Sequence, residues 1–316
     1  MKALVIGGNG FIGVNLVDEL VANGHQVRVM DRYPSRYRQP NPKAEYVNAD
    51  LGNHGEVHEA VQGMEWIFHL AYTTLPQTSN EDPVYDVRSN VGAGVQLLEE
   101  CRLSGVKKVI FISSGGTVYG VPQQIPIPED HPNEPICSYG ITKLALEKYL
   151  HLYQKIWNLD YVVARLSNPY GEPQNPNAKQ GAIAVFLGNV LQGKPVTIWG
   201  DGEVVRDYIY IKDAVRALVK AAETNLGPND PRIFNIGAGQ GHSLNDLVNI
   251  MRGVIDEPLQ VEYAPGRTVD VPANVLDISR AKQFLGWQPE TQLADGLSST
   301  WKWLKTIQKS PPVTAG

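Results

Sequence analysis

Tyr139 and Lys143 stand four residues apart in SYGITKLALEKYLHLYQKI, a stretch whose apolar spacing predicts a helix, so their side chains share one face. A phenol beside a cation can serve as a base. An isolated phenol titrates near 10, and bringing it to about 7 takes roughly 4 kcal/mol of preference for phenolate. A neighbouring ammonium typically supplies about 1 to 3 pKa units. Lys143 alone can therefore fall short, and a second positive charge is expected beside the tyrosine. Upstream, the apolar run KKVIF leads into ISSGGTVYG, residues 112–120, where a strand ends in two serines and two glycines.

A glycine turn opens the chain. Gly7, Gly10 and Gly13 lie in IGGNGFIG, and Gly8, Gly10 and Gly13 satisfy G-x-G-x-x-G. A strand pattern precedes this turn, a helical pattern follows it, and Asp31 closes the next strand about twenty residues on. Glycine allows close backbone approach, so the helix N-terminus can meet a pyrophosphate with free N–H groups and the positive end of its dipole. Asp31 can accept hydrogen bonds from both ribose hydroxyls and would repel a 2′-phosphate, which favours NAD over NADP. Arg32 tempers that preference, because a guanidinium next door could neutralise such a phosphate. The oxidised nicotinamide ring is the natural second cation for Tyr139.

These residues need a scaffold. Short runs rich in Val, Ile and Leu (KALVIG, QVRVMD, AEYVNAD, WIFHLA, KKVIFIS, DYVVARLS) alternate with helical patterns. That alternation predicts βαβ units and an α/β fold, a Rossmann-type doubly wound parallel sheet. Gly24 is placed to end the first helix in the left-handed conformation. After Ser167 the texture changes to NPYGEPQNPNAKQG. Residues 1–167 are thus expected to form the dinucleotide-binding domain and 168–316 a smaller mixed α/β substrate domain, with 204–236 returning to the first. Asp213 is a candidate helix N-cap, Ser243 and Asp246 have capping-box spacing, and the tail SPPVTAG is expected to be disordered.

Composition narrows the classes. A net charge of −5 offers no basic surplus for nucleic acid. No apolar run approaches the roughly 18 residues that a membrane span needs, and the N-terminus lacks secretory features, so a cytoplasmic location is expected. Cys101 and Cys137 have no paired spacing and read as core thiols in a reducing compartment. His54 and His58 could share a helical face, yet no third ligand stands at suitable spacing and no metal is expected. His69 reads as a core or cofactor-lining residue.

In their order, GGNGFIG, SSGGTVYG and SYGITK resemble the extended short-chain dehydrogenase/reductase group, and VVRDYIYIKDA with GRTVDVPANVLDISRAKQFLGW resembles its nucleotide-sugar epimerase branch. The resemblance covers nearly the whole chain. It implies Tyr139 as catalytic base and Lys143 as its electrostatic partner and holder of the nicotinamide ribose. Phe11, Ile12, Asp50, Leu51, Leu70, Ala71 and Ser113 would join the glycines, Asp31 and Arg32 around NAD. The strand end would bring a hydroxyl beside Tyr139 to bond the sugar oxygen. The position that carries this Ser or Thr in the epimerases falls here on Gly115, so Ser114 or Thr117 must take over. Thr117 is slightly favoured, because Ser114 could instead bond the backbone at the strand end.

Dehydratases of this group carry an Asp–Glu pair just before VYG, where this chain has Gly116 and Thr117. The resemblance therefore points to 4-epimerisation of a UDP-hexose, plain, N-acetylated or uronic, rather than to loss of water. A nucleotide-sugar reductase or a non-catalytic NAD sensor is the alternative. Arg206 and Arg267 would grip the diphosphate, Asp270 the nucleotide ribose, Trp199 the uracil face and Asn168 the phosphate. Asn274 falls where the family varies with the sugar accepted. The helices around residues 90–105 and 138–157 would pair with their mates in a homodimer, as in the family.

Overall fold

A computed structural model describes residues 1–35, 38–175, 181–266 and 271–309. The first half supplies β1 (Lys2–Ile6), β2 (Gln26–Asp31), β3 (Glu45–Asn48), β4 (Trp66–His69), β5 (Lys108–Ser114) and β6 (Asp160–Leu166). The second supplies β7 (Asn168–Tyr170), β8 (Val196–Trp199), β9 (Val205–Tyr210), β10 (Ile233–Ile236), β11 (Gly241–Ser243), β12 (Val261–Ala264) and β13 (Ala273–Asn274). β10 joins the first six strands in a sheet of order β3-β2-β1-β4-β5-β6-β10, parallel throughout. Its central strands are apolar on both faces because helices cover both, and Leu4, Val5, Ile67, Phe68 and Ile110 are fully buried. The chain reverses direction across the sheet between β1 and β4, and the crevice outside the strand ends there is where such sheets bind ligands.

The helix Phe11–Ala22 packs Val14, Leu16, Val17 and Leu20 against this sheet, and the chain leaves it through Gly24 at φ +78°. Of the segment 204–236, β10 lies in the main sheet and the helix Ile211–Glu223 packs on Phe11–Ala22. β9 instead centres a small sheet with β7, β11 and β13, while β8 pairs with β12. The buried Asp207 of β9 ties that strand to the segments after β10 and β13: its carboxylate accepts from the main-chain N–H of Ala238 (2.7 Å), Gly239 (3.2 Å) and Leu276 (3.3 Å).

The capping box at Ser243 and Asp246 is present. Asp213 is not an N-cap. Tyr210 holds that place, and Asp213 lies within the helix, paired with Arg216 at 2.8 Å and accepting from the Thr291 N–H at 2.9 Å. Cys101 is buried as expected, whereas Cys137 is half-buried at the N-cap of the helix Ser138–Trp157 and is not a core thiol. The tail from residue 310 lies outside the described residues.

Candidate active site

The glycine turn is tight because main chain presses on it from two sides. A β-carbon on Gly7, at φ +81°, would stand 2.7 Å from the Ala71 nitrogen, and one on Gly13 would stand 2.5 Å from the Gly7 oxygen. Leu70 and Ala71 both donate N–H to Ile6 O at 3.0 Å, which seals the end of β4 against that of β1. The following helix starts on Gly10 with no side-chain cap and no acidic residue in its first turn, so its positive end stays open for an anion. Phe11 and Ile12, half-buried there, pack on the core.

At the end of β2 the Asp31 carboxylate accepts from the Asn9 N–H at 3.0 Å and the Tyr33 N–H at 3.3 Å, which fixes it beside the turn. Arg32 faces Asp50 at 3.5 Å, so its charge is already partly answered. Asp50 also accepts from the Gly52 N–H at 2.9 Å, and Leu51 packs on the core beside it.

Tyr139 and Lys143 do face the same space. Lys143 is 2 % exposed; its Nζ donates to Ile112 O at 2.7 Å and lies 5.5 Å from the Tyr139 ring centre. Burial pulls Lys143 down to about 7, against the opposing pull of Glu147 and Asp86. Burial pushes the Tyr139 phenol up, and Cys137 and Asp86 add to this. Lys143 alone therefore does not make the tyrosine an acidic phenol. His69, buried at the end of β4, is held neutral at about 3 by burial and then by Lys143.

Two residues here escaped the sequence reading. Asp86 is fully buried and accepts from Thr74 (2.5 Å), Asn90 (2.8 Å), Ser138 (2.6 Å) and Thr142 (3.1 Å), which ties the start of the Tyr139 helix to a π-helical turn, Val87–Gly92. Its surroundings in sequence, DPVYDVRSN, show no periodicity that would bury it. Tyr72 sets its ring edge-on to Tyr139, with centres 4.9 Å apart, and its hydroxyl donates to Thr142 Oγ1 at 2.6 Å. Standing next to HLA was the one signal available.

The serine-glycine turn divides its hydroxyls. Ser113 gives its hydroxyl to Glu147 at 2.5 Å, within a buried ion pair of Glu147 with Arg165, so only its main chain remains for a cofactor. Ser114 accepts the N–H groups of Thr117 and Val118 through its carbonyl, while its Oγ makes no hydrogen bond among the described residues. The backbone role that favoured Thr117 over Ser114 therefore belongs to main chain and not to the hydroxyl. Thr117 Oγ1 is buried without a partner among the described residues.

A β-carbon on Gly140 would lie 2.8 Å from the Thr117 carbonyl, so the turn abuts the residue after Tyr139. Asn274, 2 % exposed, donates to Gly115 O at 3.0 Å and leaves its Oδ1 buried without a partner among the described residues. It braces the turn, a position more enclosed than a pocket wall.

In the small sheet, Asn168 Nδ2 on β7 donates to Asp207 O on β9 at 2.9 Å. Arg206 donates to Val205 O and Val271 O at 2.9 and 2.7 Å. Trp199, 43 % exposed at the end of β8, is not a core aromatic. Arg267 and Asp270 lie outside the described residues.

The sequence profile of the NAD dependent epimerase/dehydratase family matches residues 3–237. The UDP-glucose 4-epimerase of Mycolicibacterium smegmatis is 37 % identical over 95 % of this chain and 97 % of its own. Two crystal structures superpose closely. A UDP-glucose 4-epimerase of Thermotoga maritima with UDP-glucose has a TM-score of 0.92 at 35 % identity, over 98 % of this chain and all of its own. A Thermus thermophilus UDP-glucose 4-epimerase with NAD has a TM-score of 0.88 at 33 % identity, over 96 % of this chain and 99 % of its own. The chain belongs to the NAD dependent epimerase/dehydratase family.

As a member of that family, it carries residues that fit NAD. The turn has no room for side chains, the helix end is open to an anion, and the Asp31 carboxylate is fixed beside that turn. His54 and His58 turn out to converge on buried Glu100, at 2.6 and 2.8 Å. Among the described residues no group of three such side chains is arranged to hold a metal ion, and no helix is long and apolar enough to cross a membrane.

Proposed function

We propose that this protein is an NAD-dependent isomerase that epimerises a UDP-hexose at C4 through a transient 4-keto sugar. The observation that carries the reading is the convergence of Tyr139 and Lys143 with the turn at Ser114 and Thr117, beside the glycine cradle. Gly116 and Thr117 stand where a dehydratase would need its acid and base, so elimination lacks its agents.

Tyr139 takes the proton from the sugar 4-hydroxyl and later returns it, and Lys143 supplies the positive charge that favours its phenolate. Thr117, with Ser114 as the other candidate, bonds the same sugar oxygen. NAD supplies the hydride acceptor and the donor that gives it back. Inversion requires the keto sugar to turn over while its diphosphate stays anchored. Arg206 and Arg267 would provide that anchor, Asp270 the ribose contact, Trp199 the stacking face, Asn168 a phosphate contact, and Asn274, through its hold on Gly115, the size of the sugar pocket.

Residues 1–167, with 204–236 returning to them, would carry the cofactor and the rest of 168–316 the nucleotide sugar. The protein would work as a homodimer. Ile141, Tyr149, Leu152 and Ile156 form one exposed apolar stripe along the Tyr139 helix, with exposed Val84 and Val87 on the segment packed beside it.

Incubation with UDP-glucose or UDP-galactose, without added reductant, should interconvert them, and Tyr139→Phe should stop this while still binding NAD. Net consumption of NADH would indicate a reductase. Tight NAD binding with no turnover of either sugar would indicate a sensor.

A further inference from the structure

The Lys143 ammonium is almost wholly buried. Its Nζ has one short bond, to Ile112 O at 2.7 Å, and is 2 % exposed. Burial of this kind drives a lysine toward its neutral form. Three aromatic rings lie close to it. The Nζ lies 3.8 Å from the centre of the Tyr72 ring, 4.8 Å from that of Phe111 and 5.5 Å from that of Tyr139. Ring faces carry negative potential, and a cation over one gains most where water is excluded.

Tyr72 is the member of this box that also touches the tyrosine. Its ring meets Tyr139 edge-on at 4.9 Å, and its hydroxyl is tied to Thr142, which bonds Asp86 at 3.1 Å. The ring is therefore held in place by a hydrogen-bonded chain that ends on buried Asp86 rather than by apolar packing alone.

We propose that Tyr72 is a positioning residue of this site: its ring, set against both Tyr139 and Lys143, keeps the lysine a cation at the tyrosine's side. The proposal deepens the catalytic reading above and rests on it, but concerns a charge state that exists without substrate. The other ionisable groups facing Lys143 are Glu147 on its own helix, Asp86 from the preceding segment, His69 from β4, and Tyr139. The two carboxylates favour the cation. His69 is neutral and adds no competing charge. Tyr72→Phe keeps the ring face and loses only the bond to Thr142; Tyr72→Leu keeps bulk and loses the face.

The test is the titration of the Lys143 side chain, followed by NMR of ¹³C-lysine-labelled protein without cofactor, with the resonance assigned by its disappearance in Lys143→Met. Tyr72→Leu should lower the midpoint by about one pH unit, a tenfold loss of proton affinity. Tyr72→Phe should stay within about 0.3 unit of the parent. An unchanged midpoint in Tyr72→Leu would overturn the proposal. So would an equal drop in Tyr72→Phe, which serves as the deciding variant if the leucine protein does not fold. Because the readout needs no turnover, a protein that proved inactive on UDP-sugars would overturn the catalytic reading and leave this result standing.

Discussion

Leu276 fills the space into which a side chain at position 115 would grow. A β-carbon on Gly115 would stand 2.6 Å from Leu276 Cδ1, 2.9 Å from Cδ2 and 3.2 Å from the Arg165 carbonyl. The missing hydroxyl and the leucine thus belong together. Gly115→Ser, which restores the residue type usual in the epimerases, should destabilise the fold by about 1 to 3 kcal/mol through overpacking. Adding Leu276→Ala should remove the clash with the leucine. Urea unfolding of the single and double variants checks this, and a Gly115→Ser protein as stable as the parent would refute it.

Thr117 presents a buried oxygen with no hydrogen-bond partner among the described residues. Removing it costs the free protein no hydrogen bond, so Thr117→Val should change stability little while lowering kcat by about 10²-fold or more. Ser114→Ala should have the smaller effect. Steady-state rates and melting curves separate the two, and equal losses of turnover would leave Thr117 without preference.

Gly13 tests the cofactor cradle. Its absent side chain would collide with main chain, the Gly7 oxygen and the Gly8 Cα both at 2.5 Å, which cannot rotate aside. Gly13→Ala should weaken NAD binding by at least 10²-fold, roughly 3 kcal/mol, measured by calorimetry. Affinity within a few-fold of the parent would place the dinucleotide elsewhere.

Asp207 gives the fold a pH dependence. Burial raises its carboxyl from 3.8 to about 6 despite the N–H groups it accepts. Between these values the folded protein holds the proton more tightly than the unfolded chain, so this group's contribution falls as pH rises from about 4 to about 6. Two pKa units amount to on the order of 3 kcal/mol. Asp207→Asn lacks this dependence. Its stability relative to the parent should therefore improve across that window in urea titrations at pH 4.5 and 6.5, and a constant difference would contradict the assignment.

The apolar stripe on the Tyr139 helix tests the dimer. Leu152 and Ile156, 41 % and 58 % exposed, lie one turn apart on it. The parent should sediment as a dimer, and Leu152→Glu should shift it to monomer in sedimentation velocity while leaving circular dichroism unchanged, since neither residue supports the core. A parent protein that sediments as a monomer would exclude this face as a self-interface.

The alternation of βαβ patterns, the glycine turn with Asp31, and the Tyr139–Lys143 spacing were legible in the sequence because each is local. A period or a fixed offset along one strand or helix dictates which side a residue faces. The resemblance of ordered motifs extended this to the family.

Long-range burial was not legible. Asp86, Tyr72, Glu147 and Leu276 come to the site from four separate segments, and only the packing of those segments against one another decides that a carboxylate loses its water or a ring covers an ammonium. The same packing set the protonation of the pair, because desolvation depends on everything that surrounds a group in space and on nothing that a neighbour in sequence can report.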